Sequence, residues 1–186
     1  MSRRKMNLPN KLTVIRFAAI PVIIALLMIR SVSWLDYVAA FLFVAAAFTD
    51  MIDGKLARKH NIVTDFGKLM DPLADKTLVV SVLMVLASQG RVNVIPVIII
   101  IVRELAVTGL RAVAASSPAK KVIAASIWGK LKTVVQMATV TMLMLDSIFG
   151  LIPFPIIPIM VVAMTILTVI SGAEYFIQYK DCFKDY

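Results

Sequence analysis

The chain has 186 residues, is 60% hydrophobic with a mean hydropathy of +0.90, and carries a formal net charge of +9. Soluble domains contain about 45–50% apolar residues, and a core of this size cannot bury so much apolar surface. An ordinary soluble domain is therefore excluded. We expect one all-α integral membrane domain covering residues 1–186. The single Cys182 excludes an internal disulfide and leaves no partner for a cysteine-based metal site.

Six apolar segments follow one another along the chain. A helix needs roughly 20 residues to cross the hydrocarbon core, and each segment reaches or nearly reaches that length. The segments cover residues 12–29, 34–56, 70–89, 92–113, 127–148 and 153–177. The sequence therefore predicts six transmembrane helices, preceded by a short N-terminal interfacial segment.

The lysines and arginines fall almost entirely on one side of these segments. An even number of spans puts both termini on the same side, and of 20 basic residues only Arg30 and Arg91 fall on the other. This bias predicts that both termini are cytoplasmic. Since the charges orient the helices and form no compact basic domain with interleaved aromatics, we expect no binding to nucleic acid.

Four aspartates stand where the second segment ends and the third begins, and ionisable residues inside spans are costly unless they serve a function. They are Asp50, Asp53, Asp71 and Asp75. The spacing puts the first two on one face of their helix and the last two on one face of theirs. Small residues on the same faces, Gly54, Ala57 and Gly67, leave room for a ligand or another backbone.

Four ionised carboxylates in a partly desolvated site need counter-charge, which two divalent cations would supply. Oxygen ligands without histidine or cysteine suit Mg²⁺, or Mn²⁺, rather than zinc. Two such ions can orient a diphosphate and stabilise a leaving phosphate. Arg58, beside the aspartates, can bind a phosphate through two hydrogen bonds. A helix cap would explain Asp71 before Pro72, but not the whole set.

This spacing resembles the signature of the CDP-alcohol phosphotransferase family. The pattern reads Asp50-x2-Asp53-Gly54-x2-Ala57-Arg58-x8-Gly67-x3-Asp71-x3-Asp75, without departure. The resemblance implies a six-helix membrane fold, usually a homodimer, in which an alcohol displaces CMP from a CDP-linked lipid. It further implies that the first three aspartates bind two metal ions, and that Asp75 contacts metal or acts as general base.

Residues at the start of the first segment are candidates for holding the nucleotide. Asn10 and Thr13 lie near one helix face with Arg16, at the cytoplasmic interface. An interfacial anchor with topogenic charge is the alternative that these residues leave open. The residues expected to bind the CDP-lipid are Asn10, Thr13, Asp53, Gly54, Ala57, Arg58 and Gly67.

Basic residues of the fourth and fifth segments suit a phosphorylated acceptor, although topogenic charge is an alternative explanation. Arg103 and Arg111 lie on roughly one helix face, whereas Glu104 is about 100° away and need not cancel either charge. Lys130 and Lys132 cannot share a face, and we favour Lys130 as the one that points inward. The predicted acceptor-phosphate site is Arg103, Arg111 and Lys130.

Stretches around residues 7–16, 103–111 and 129–136 resemble family members that transfer the phosphatidyl group from CDP-diacylglycerol to sn-glycerol 3-phosphate. The resemblance implies a multi-pass protein of the bacterial plasma membrane whose active site faces the cytoplasm. A sister enzyme that uses serine, inositol phosphate or phosphatidylglycerol remains an alternative. So does a divalent-cation transporter, which leaves Arg58 unexplained. We interpret Tyr175 and Tyr179 as part of an interfacial aromatic belt.

Overall fold

The computed structural model describes residues 8–32, 34–59, 65–116, 126–149 and 155–179. Within these ranges it describes the backbone but not the side chains of residues 8–12, 50–59, 65–69, 115–116 and 147–149. Within these ranges the chain is helical and has no strand. The helices are α1 (Leu8–Met28), α2 (Leu35–Lys59), α3 (Asp65–Ser88), α4 (Val94–Ser116), α5 (Ile127–Phe149) and α6 (Ile156–Gln178).

Each predicted apolar segment coincides with one helix, so the helices themselves are confirmed. The observed helices are longer at the aspartate-bearing end, because α2 continues to Lys59 and α3 already begins at Asp65. Of the predicted interfacial segment, residues 8–11 belong to α1, and residues 1–7 lie outside the described residues.

The helices pack around one apolar interior. Helix α1 packs against α2 and α3, α5 lies against α2, α3 and α6, and α4 packs against α3 and α6. Among the side chains with no exposed surface are Ile23, Phe43, Leu83, Ile100 and Met144, which come from five different helices. Burial of large aliphatic and aromatic side chains is the main force that holds such elements together.

Large apolar side chains also cover the outside of the bundle. Phe41, Leu105 and Ile177 have exposed fractions of 72%, 69% and 66%. Contiguous apolar surface is rare on soluble monomers and is compatible with a lipid surround. Judged by length and composition, α6 is the one described helix able to cross a membrane, while the apolar stretches Thr13–Met28 and Leu35–Thr49 are shorter. Six spans and cytoplasmic termini remain predictions.

A tight turn ends α3 at the end of the bundle remote from the aspartates. Gly90 has φ of +75°, and the N–H groups of Gly90 and Arg91 donate to the carbonyls of Ala87 and Leu86, both at 3.0 Å. This is a Schellman motif, which glycine favours because it has no Cβ. Arg91 then pairs with Asp36 at 2.7 Å.

Arg30 lies at this same end of the bundle. Its Nη2 donates to the backbone carbonyl of Gln89 at 3.1 Å, and the amide of Gln89 donates in turn to the carbonyl of Leu27 at 2.6 Å. The two basic residues predicted to lie opposite all the others, Arg30 and Arg91, therefore do share one end of the structure.

Candidate active site

Asp71 and Asp75 are one turn apart on the first half of α3, so their side chains lie on one face of that helix. The hydroxyl of Thr13, on α1, donates a hydrogen bond to Oδ1 of Asp71. Thr13 is 2% exposed, and the hydrogen bond is a partly buried link between two helices. A residue predicted to bind the nucleotide thus contacts a predicted metal ligand.

Helix α1 also contacts α2 near its aspartates. Nε of Arg16 donates to the carbonyl of Ala46 at 3.3 Å, one turn before Asp50. Since Thr13 and Arg16 are three residues apart on α1, this helix links the aspartate-bearing parts of α2 and α3. The remaining residues predicted to bind metal or the CDP-lipid lie on helices, but their side chains are outside the described set. They are Asp50, Asp53, Gly54, Ala57 and Arg58 on α2, Gly67 on α3 and Asn10 on α1.

Metal binding therefore rests on the donor chemistry of two described carboxylates. Asp71 and Asp75 offer oxygen ligands, which fit Mg²⁺ or Mn²⁺. No three His, Cys, Asp or Glu side chains come together among those that the structure describes. The convergence of all four aspartates stays a prediction, because it depends on Asp50 and Asp53.

A cavity of about 370 Å³ opens beside Asp75, between α3, α4, α5 and α6. Its charged lining residues are Asp75, Lys76, Arg103, Glu104, Arg111, Lys130 and Lys132. Five cations against two carboxylates give this charged cavity a formal net charge of +3. The structure thus brings together all three residues of the predicted acceptor site, Arg103, Arg111 and Lys130, and puts them beside Asp75. Their role in binding an acceptor stays a prediction.

The two lysines of α5 differ from our expectation. Both line the charged cavity, but Lys132 is the inward one, with an exposed fraction of 4%, whereas Lys130 is exposed at the rim. Helical spacing shows that two such residues point in different directions. It does not show which direction leads to the interior, and this depends on how α5 is rotated against α4.

Glu104 is the ionic centre of the cavity wall. Its Oε1 accepts hydrogen bonds from Arg103, at 2.9 Å, and from Lys132, and its Oε2 lies 3.4 Å from Nζ of Lys76. Glu104 therefore does pair with Arg103, although the spacing of the two positions on the helix did not require it. Glu104 is 8% exposed, and a carboxylate that is buried to this extent needs compensating cations. The long side chain of Arg103 reaches it across the 100° between their positions.

Tyr175, on α6, is a cavity residue that the sequence prediction missed. Its exposed fraction is 3% and that of Tyr179 is 1%, so neither belongs to an interfacial belt, and that interpretation is wrong. The Tyr175 hydroxyl accepts a hydrogen bond of 2.5 Å from Nη2 of Arg111. Ser171, Gly172, Tyr175 and Tyr179 are all buried and follow helical spacing, a pattern that could have indicated an inward face.

The fold and the site define the class of protein to which this chain belongs. It is an α-helical protein with an apolar exterior, and it has carboxylates beside a cationic cavity at one end of its helix bundle. The family model for CDP-alcohol phosphatidyltransferase matches residues 6–173. The chain belongs to this family.

Similar proteins span nearly the whole chain. A CDP-diacylglycerol–glycerol-3-phosphate 3-phosphatidyltransferase of Bacillus subtilis is 40% identical over 190 residues, covering 96% of this chain and 97% of the relative. A protein of the same name from Rickettsia typhi is 42% identical over 179 residues, covering 95% and 99%. A probable phosphatidylglycerophosphate synthase of Mycobacterium tuberculosis is 37% identical over 178 residues, covering 91% and 79%.

Proposed function

We propose that this chain transfers the phosphatidyl group of CDP-diacylglycerol to sn-glycerol 3-phosphate, giving phosphatidylglycerophosphate and CMP. The observation that carries the proposal is the charged cavity beside Asp75, because its surplus of cations suits a small phosphorylated acceptor. Relatives about 40% identical over nearly their full length are named for this reaction, which supports the same choice of substrates.

The acceptor is held by its phosphate. Arg111 and Lys130 line the cavity without a described ion pair to a carboxylate, so their charge is available to an anionic ligand. Nε of Arg103 is buried and has no hydrogen-bond partner among the described residues. A phosphate oxygen would satisfy it, and buried donors usually have such a partner.

Asp75 lies where the acceptor hydroxyl reacts. The primary hydroxyl of glycerol 3-phosphate attacks the phosphorus of the phosphatidyl group and forms a new P–O bond. The bond between that phosphorus and the CMP oxygen breaks, and CMP leaves with the bonding electrons. The Asp75 carboxylate accepts the proton of the acceptor hydroxyl and thereby acts as the general base.

Asp50, Asp53, Asp71 and Asp75 would hold two divalent cations, Mg²⁺ or Mn²⁺. When bound, these ions would polarise the attacked phosphorus and stabilise the charge on the departing phosphate. Asn10, Thr13, Gly54, Ala57, Arg58 and Gly67, with Asp53, would bind the CDP-lipid.

The same proposal covers the setting of the enzyme. The chain forms a single membrane domain of the bacterial plasma membrane, with six spans, cytoplasmic termini and an active site that faces the cytoplasm. The apolar exterior and the sidedness of lysine and arginine support this arrangement. We infer a homodimer from the family resemblance, and the mass of the protein in detergent, measured by light scattering, tests it.

A panel of acceptors tests the reaction. The purified protein, with Mg²⁺ and CDP-diacylglycerol in mixed micelles, is given glycerol 3-phosphate, serine, inositol phosphate or phosphatidylglycerol, and CMP release is measured. We expect release with glycerol 3-phosphate that stops when EDTA is added. Release with another acceptor alone would instead identify a sister enzyme of the same family.

A further inference from the structure

We propose that Tyr175 is a positioning residue that fixes Arg103 and Arg111 as a preformed clamp for the acceptor phosphate. The proposal rests on the proposed function, because it assigns a role in the same cavity. Tyr175 carries no charge and acts through the two arginines.

One tyrosine ring contacts both arginines of α4. The guanidinium carbon of Arg111 lies 5.0 Å from the ring centroid of Tyr175, and that of Arg103 lies 5.5 Å from it. Both distances are within the range in which a cation is attracted to an aromatic face. The Tyr175 hydroxyl also accepts the 2.5 Å hydrogen bond from Arg111. Two arginines that are two helical turns apart are therefore held by one side chain of the facing helix.

The neutral character of Tyr175 matters for binding. A carboxylate in its place would orient Arg111 but would also form an ion pair with it, as Glu104 does with Arg103 at 2.9 Å. Within the described part of the chain, Arg111 has no ion pair with a carboxylate. The phenol and its ring orient the guanidinium and leave its charge for the ligand. An arginine ordered before binding loses less conformational freedom when the phosphate arrives.

The surroundings of Tyr175 hold the ring itself in place. Tyr179 stacks on it with ring centroids 6.2 Å apart and planes 11° apart. On α5, a Cβ added at Gly129 would lie 3.8 Å from Cε2 of Tyr175, so the backbone passes close to the ring. A Cβ added at Gly172 would lie only 3.1 Å from Cγ of Arg103. The glycine at position 172 thus lets α6 approach the Arg103 side chain of α4 closely, beside this aromatic contact.

The test replaces Tyr175 by phenylalanine, which keeps the ring and removes the hydrogen-bond acceptor. Loss of a hydrogen bond to a charged group should raise the KM for glycerol 3-phosphate about 10-fold. The KM for CDP-diacylglycerol and kcat should stay within about twofold of the wild type, because the contact serves only the binding of one substrate. Tyr37→Phe is the matched control, because Tyr37 is on α2, beside Asp36 at the opposite end of the bundle, and is outside the cavity lining. It should leave all three constants unchanged.

A double-mutant cycle separates positioning from general structural damage. If Tyr175 acts through Arg111, then Tyr175→Phe should have less than about a twofold effect on the acceptor KM in an Arg111→Ala background. Should Tyr175→Phe fail to fold, Arg111→Lys takes its place, since it keeps the charge and loses the guanidinium geometry, and the same acceptor-specific rise is expected.

Three results would overturn the proposal: an unchanged acceptor KM, an equal rise in both KM values, or an equal effect with and without Arg111. A wild-type protein that releases no CMP with glycerol 3-phosphate would reject the proposed function instead. The two failures are therefore distinguishable.

Discussion

Two carboxylates on one helix face have different surroundings. Asp71 accepts a hydrogen bond from the buried hydroxyl of Thr13, and Asp75 lines the charged cavity. A carboxylate fixed by a hydrogen bond suits a metal ligand, and one that faces the acceptor suits a base. These surroundings support the proposed roles of Asp71 as a metal ligand and of Asp75 as the general base. From the sequence, these roles were implied only by the family resemblance.

The first prediction separates these roles. Asp75→Asn should lower kcat by about 10³-fold, because the amide cannot take the hydroxyl proton. Binding of CDP-diacylglycerol, measured by isothermal titration with Mg²⁺, should be largely preserved. Asp71→Asn should weaken both turnover and lipid binding through loss of metal. Equal loss of lipid binding in the two variants would count against Asp75 as the base.

The second prediction concerns Thr13. Thr13→Val removes the hydrogen bond that orients Asp71 and should raise the Mg²⁺ concentration for half-maximal activity by about 10-fold. Thr165→Val is the control, because the Thr165 hydroxyl donates at 2.7 Å to Val161 of its own helix, away from the site. A Thr13→Val enzyme with an unchanged Mg²⁺ requirement would show that this contact serves only packing.

At the scale of helices, Glu104 joins three of them. It contacts Lys76 of α3 and Lys132 of α5 as well as Arg103 of its own helix α4. The side chains of Glu104 and Lys132 have exposed fractions of 10% and 5%, so water replaces these contacts poorly. The ion pairs in the cavity wall therefore also connect α3, α4 and α5.

The third prediction follows from the ion pairs of Glu104. Glu104→Gln should lower the free energy of unfolding by about 3–5 kcal/mol, because it leaves Lys132 buried without a counter-ion. Denaturant unfolding in detergent measures the change. Glu174→Gln is the control and should have a smaller effect, since the described partner of Glu174 is Gln178 of the same helix, at 3.1 Å. A similar loss in both variants would contradict a special role for Glu104.

Helices α4 and α5 show most clearly which features of the site could be predicted from the sequence. Helical spacing correctly grouped Arg103 and Arg111, since positions on one helix follow from its period. It did not identify Lys132 or Glu104, because their partners depend on how one helix is rotated against another. Tyr175 was missed for the same reason: its arginine partner is 64 positions earlier in the chain.

For the whole molecule, the placement of lysine and arginine predicts the orientation in the membrane, which the packing of the helices does not test. Fusions of green fluorescent protein to either terminus should fluoresce in a bacterium, because both termini are predicted to be cytoplasmic. Alkaline phosphatase inserted at the turn of Gly90 should be active on the opposite side. An active phosphatase at either terminus would reverse the orientation.

The six helices of the described residues were predictable because apolar segments alternate with polar turns along the sequence. The helix ends near the aspartates were not, because charged residues there interrupt the apolar pattern and still continue the helix. Lys59, the last residue of α2, illustrates this, as it lies outside the predicted span and within the helix.

The net charge of the cavity, +3, has a practical consequence for measurement. A pocket with surplus positive charge attracts small anions of any kind, and dissolved ions screen that attraction. Sulfate or inorganic phosphate in the buffer should therefore compete with glycerol 3-phosphate and not with CDP-diacylglycerol. The apparent affinity for the soluble substrate should fall as ionic strength rises, so assays of this enzyme are comparable only when their salt and buffer anions are matched.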